Sequence, residues 1–117
     1  MSKEQEQLKI NQEIQRQESK ADHLRNESHR VQETFDNLQS NLRRGYLELT
    51  HLNQEISHFG GKESVIIQQK DEEQALFFRR QLGKLQEDFH QEYNKQTKLI
   101  ANEKEALQRK RSELVWD

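Results

Sequence analysis

The chain contains no proline and no cysteine. Without cysteine there is no disulfide and no thiolate chemistry, which fits a reducing compartment. The strongest helix breaker, proline, is thus missing, and Gln, Glu, Lys, Arg, Leu and Asn dominate, a usage suited to long exposed helices. Apolar residues are scarce: 30% of the 117 residues are hydrophobic against 34% charged, and the mean hydropathy is −1.28. Ordinary globular domains carry roughly 45–50% apolar residues, so a broad compact core is excluded. Two classes remain, a disordered chain or long helices sharing one narrow apolar seam, and periodicity separates them.

Other absences narrow the function. No run approaches the ~20 apolar residues of a membrane span, and the N-terminal MSKEQEQLKI lacks the apolar stretch of a signal peptide. A soluble intracellular protein, cytoplasmic or cytoskeletal and without membrane insertion, is expected. The net charge is −2 with both signs interspersed, so no single-sign field recruits nucleic acid. No serine–histidine–carboxylate set and no glycine-rich phosphate loop is present. A non-enzyme is expected, with no cofactor, no metal and no small-molecule substrate.

What is present is a heptad repeat. With position a at Gln7, Ile14, Ala21, Ser28, Phe35, Leu42, Leu49 and Ile56, position d falls on Lys3, Ile10, Gln17, Leu24, Val31, Leu38, Gly45, Leu52 and Phe59. This 3.5-residue period keeps one stripe facing a partner helix as the pair supercoils. It predicts a first coiled-coil helix over residues 1–59, weakly packed at its N-terminal end where Gln7, Gln17, Ala21 and Ser28 dilute the seam. Apolar spacing returns at Ala75, Phe78, Leu82, Leu85 and Phe89, in a frame offset by two residues. A step of four then leads to Tyr93, and the pattern continues through Ile100, Glu103, Leu107, Lys110 and Leu114. The second helix, 64–117, is therefore expected to carry a stutter near 89–93.

The frames change across HFGGKES at 58–64. Two glycines disfavour a helix interior by roughly 1 kcal/mol each, whereas glycine after a helix can take the left-handed conformation that closes it. Gly60 and Gly61 are read as the turn, spanning 60–63, with Ser64 as N-cap of the second helix. An all-α antiparallel hairpin of two helices of about equal length is preferred over an extended rod. Folding there pairs residues whose numbers sum to about 122, setting Gly45 opposite Phe77 and Phe78, Glu18 beside Lys104, and Glu13 near Arg109 and Arg111. An aromatic would then fill the hole that Gly45 leaves in the seam.

Several residues admit a functional reading beside a plain one. His51, Glu55 and His58 share a helical face at metal-ligand spacing, although a solvated flank explains them as well. Arg43-Arg44, Arg79-Arg80 and Arg109 to Arg111 could touch phosphates, but nucleic-acid binding is disfavoured against a salt-bridged surface. Phe77 and Phe78 cannot both face one seam, since consecutive positions point about 100° apart. Phe77, with Trp116 near the end, is therefore a candidate for docking a protein. The ending ELVWD has no stop signal and suits a segment of something longer.

The expected function is structural. The chain reads as a scaffold or spacer assembling through helix–helix association, with itself or another coiled-coil chain, in a larger cytoskeletal or multisubunit complex. An adaptor docking a target through Phe77 and Trp116 is the alternative, and nucleic-acid binding through the arginine pairs is third.

Overall fold

In a computed structural model the chain forms an all-α antiparallel helical hairpin, α1 over Lys3–Ser57 and α2 over Lys62–Trp116. The structure describes residues 2–116, and the side chains of residues 2–114. Helix α1 opens with a reciprocal cap. The Gln5 backbone N–H donates to Ser2 Oγ at 3.2 Å, and the Ser2 backbone N–H donates to Gln5 Oε1 at 3.3 Å. Two donors that helix geometry leaves unpaired are satisfied together.

The connection occupies 58–61, so both helix boundaries lie two residues before the expected 59 and 64. Neither glycine of the turn has a positive φ. Helix α1 instead ends on tightened three-residue bonds, the His58 N–H donating to the Glu55 carbonyl at 3.3 Å and the Phe59 N–H to the Ile56 carbonyl at 2.9 Å, and the Gly60 N–H shares the Ile56 carbonyl at 3.1 Å. Ser64 is not the N-cap, because α2 already starts at Lys62. Its buried hydroxyl donates backwards, to the Gly61 carbonyl at 2.8 Å and the Gly60 carbonyl at 3.2 Å, and this ties the turn to the first turn of α2.

The chain divides into two compact units, one of residues up to 30 and from 89 onward, the other of residues 31–88. The expected stutter near 89–93 is absent: with Gln86 half-buried in place of Leu85, the inward positions Gln86, Phe89, Tyr93 and Gln96 alternate three and four, and consecutive steps of four come at Gln96, Ile100 and Lys104.

In the first unit the inward positions follow the heptad frame of α1. Ile14 and Gln17 are buried, while Ile10, Ala21, Leu24 and Ser28 are half-buried. From α2 come Phe89, Tyr93, Gln96, Ile100, Leu107 and Leu114, all half-buried. Toward its end α2 turns Lys104 and Arg111 inward and leaves Glu103 and Lys110 exposed, one position away from the expected frame. Polar bonds fix the level of the two helices: Gln17 Nε2 donates to Glu103 Oε2 at 3.0 Å, and Arg111 Nη1 to Asn11 Oδ1 at 3.1 Å. Glu18 and Lys104 meet at 3.1 Å, as the hairpin requires. Glu13 departs from expectation, pairing within α1 to Arg16 at 2.9 Å, while Arg109 pairs with Glu105 at 2.7 Å.

In the second unit the packing leaves the expected seam. Val31, Phe35 and Leu42 are half-buried as the heptad frame requires, but the next inward positions are Tyr46 and Asn53 rather than Gly45 and Leu52. A step of four, Leu42 to Tyr46, has moved the contact line by one residue, which rotates it by about 100°. The facing line on α2 runs through Ser64, Asp71, Ala75 and the buried Leu82. Asn53 Nδ2 donates to Asp71 Oδ2 at 2.8 Å and fixes the register.

Consequently Leu38, Gly45, Leu49, Leu52, Ile56 and Phe59 of the expected seam are exposed, as are Phe78 and Leu85. The expected filling of Gly45 by Phe77 or Phe78 is absent: a Cβ placed at Gly45 meets nothing within 4 Å. The physical reason is drift. A straight helix gains about 20° on a strict heptad with every repeat, so a long seam cannot stay opposed to a partner unless the pair supercoils throughout.

Candidate functional site

The exposed apolar side chains are unevenly spread. Of the fifteen large ones exposed among the described residues, thirteen lie within 31–88 and only Leu8 and Leu99 outside it. The feature that stands out is therefore a surface, and helical geometry sorts it into two faces.

The first face is the displaced seam. Taking Tyr46 as the direction of α2, steps of about 100° put Leu38, Gly45, Leu49, Leu52 and Ile56 on one side of α1. Ile67, Phe78 and Leu85 occupy the corresponding side of α2 by the same construction. Ile56 and Ile67 indeed line one recess of about 500 Å³ beside the glycine turn. Along α1 this stripe also includes Thr34 and Asn41 but no charged residue, in a chain that is 34% charged. A charge-free stripe of this length is unusual for a solvated surface and typical of one that excludes water. Phe78 stands on it beside Phe77, their rings edge to face at 5.8 Å.

The second face lies on the other side of the same helix pair. An open groove of about 700 Å³ is lined by Leu42, Tyr46, Leu47, Thr50, Ala75, Leu76 and Leu82, with Gln39, Arg43, Glu72 and Arg79 completing it. Arg43 and Arg79 thus come together across the hairpin, as pairing about the glycine turn requires. Their groove also holds the Glu72 carboxylate and is otherwise mostly apolar, so the basic patch is interrupted.

The remaining expectations fall as follows. Phe77 is 56% exposed and points away from α1, whereas the Trp116 side chain lies outside the described ones. Gly60 and Gly61 form the turn. His51 and Glu55 are exposed on α1 and His58 is exposed in the connection beyond its end, and no group of three potential ligands is arranged to hold a metal ion among the described residues. No helix among them is long and apolar enough to cross a membrane. Sequence reasoning missed Tyr46 and Asn53 as inward residues and Ser2 with Gln5 as the cap. The cap was visible as Ser-x-x-Gln at 2–5; Asn53 gave no such signal, because its frame depends on where α2 lies. Compared with known protein families, with curated proteins and with solved structures, the chain matches none.

Proposed function

We propose that this chain is a structural element of an assembly, a coiled-coil scaffold or spacer that acts by helix–helix association within a larger cytoskeletal or multisubunit complex, without catalysis of its own. One observation carries the reading: the heptad seam of α1 between Leu38 and Ile56 is apolar and charge-free yet lies beside α2 rather than under it. A stripe whose own helix partner leaves it exposed is suited to another helix.

The reading is tested by the size of the particle in which the chain travels. In an extract of the cells that produce it, sedimentation should place the wild-type chain in a species heavier than its own 14.1 kDa. The triple variant Leu49→Glu, Leu52→Glu, Ile56→Glu, which alters exposed positions, should leave that species. A wild-type chain that sediments as a monomer, or a variant that stays in place, overturns the reading.

A second reading rests on Phe77, 56% exposed and directed outward from the pair. There the chain is an adaptor, and Phe77 docks a protein target that the Leu49–Ile56 variant would still capture. Replacing Phe77 with alanine should then abolish capture while leaving helicity unchanged.

A further inference from the structure

The occupant of the face that holds the displaced seam follows from how its two halves match. Asn53 meets Asp71, so residues whose numbers sum to about 124 stand at one level of the pair. By that count Leu38 is level with Leu85, Gly45 with Phe78, and Ile56 with Ile67. Both members of each pair lie on the same face, side by side rather than in contact through the hairpin's own interface. At the middle level one member is a gap and the other a protruding ring: Gly45 has open space where a Cβ would be, and Phe78 is 41% exposed.

We propose that this face is a self-association surface whose occupant is a second copy of the chain, related by a two-fold axis parallel to the helices; the proposal rests on the assembly reading above. Such an axis lays α1 of each copy over α2 of the other without changing level. Each Phe78 then enters the gap at the partner's Gly45, while Leu38 covers Leu85 and Ile56 covers Ile67, each contact made twice. That is the isologous, self-complementary contact that two-fold symmetry demands, with knob-into-hole packing at its centre. A two-fold axis perpendicular to the helices would lay α1 over α1 and α2 over α2, so that Phe78 could not enter the partner's Gly45 gap. The α1 half carries no charge, so no like charges are opposed across the axis there.

The area suffices. Seven large side chains on the face, from Leu38 to Leu85, expose between 37% and 58% of their surface. At roughly 80 Å² each they would bury about 600 Å² per copy before backbone and polar neighbours are included, close to the ~800 Å² per partner of a stable interface. The product is a four-helix arrangement of residues 31–88.

The absence of cysteine provides the test. The purified full chain should have the mass of two copies, about twice 14.1 kDa, at micromolar concentration. Leu38→Cys and Leu85→Cys, both at exposed positions, should form a disulfide-linked dimer when mixed, at least tenfold faster than either variant alone. Gly45→Gln, which fills the gap with a good helix former, should weaken dimerisation at least tenfold while far-UV dichroism shows helicity kept. A monomeric mass, or cross-linking as fast for either variant alone as for the mixture, overturns the proposal. A purified monomer that still travels in a heavy particle in the extract removes the second copy and leaves the assembly reading; a monomer in both removes both.

Discussion

Asn53 donates to Asp71 at 2.8 Å across the hairpin, and Asn53 is only 6% exposed. A buried amide bonded to a carboxylate holds the two helices in one register, because sliding either by a residue leaves the buried amide and the half-buried carboxylate without each other. Replacing Asn53 with alanine should therefore destabilise the fold by about 2 kcal/mol, since the half-buried Asp71 carboxylate loses its donor. Asp71→Asn, which retains an acceptor, should cost about half as much. Urea unfolding followed by helicity checks both, and equal losses would contradict the account.

The buried apolar positions should outweigh the exposed ones. Ile14 and Leu82 are 6% and 7% exposed, whereas Leu8 is 60% exposed. Truncating Ile14 or Leu82 to alanine is expected to cost about 2–4 kcal/mol, through lost burial and the cavity left behind. Leu8→Ala should cost under about 0.5 kcal/mol. Denaturant midpoints of the three variants decide the matter.

Gly61 should tolerate a side chain. It has no positive φ, and a Cβ there meets nothing within 4 Å. Gly61→Ala is therefore expected to stabilise the hairpin by about 0.4–1 kcal/mol, by restricting the unfolded chain without straining the folded one. A fall in thermal midpoint would show that the turn needs the left-handed conformation after all.

The hairpin itself is measurable within the unit that holds both termini. Gln12 lies one residue beyond Asn11, which bonds Arg111, and Gln108 stands three residues before Arg111. Spin labels at Gln12 and Gln108 should sit within roughly 20 Å, given helix axes ~10 Å apart. In an extended rod the same labels would be more than about 100 Å apart at 1.5 Å per helical residue.

Much of the fold was legible because helices announce themselves locally. The seam through Ile14, Leu24 and Val31 was readable from spacing, as was the pairing of Glu18 with Lys104. The place of the extra four residues was not, because Gln86 rather than Leu85 turns inward before Phe89. Ser64 was misread because a serine before an apolar run is equally suited to capping a helix or to bonding back from its first turn. The difference is the helix start at Lys62, which places its hydroxyl over the Gly60 and Gly61 carbonyls.

The amino-acid sequence alone determined that this protein is two helices joined at Gly60-Gly61, and that α1 carries an apolar heptad stripe down to Ile56. Both follow from propensity and from 3.5-residue spacing, which act within one helix. Only the tertiary structure decided which residues the hairpin encloses. Where the helices meet at Tyr46, Asn53 and Asp71, a shift of a single residue turns the expected seam from the inside of the pair to its surface. Spacing defines a stripe but not its occupant, because the position of a partner helix is set by drift, register bonds and packing between elements.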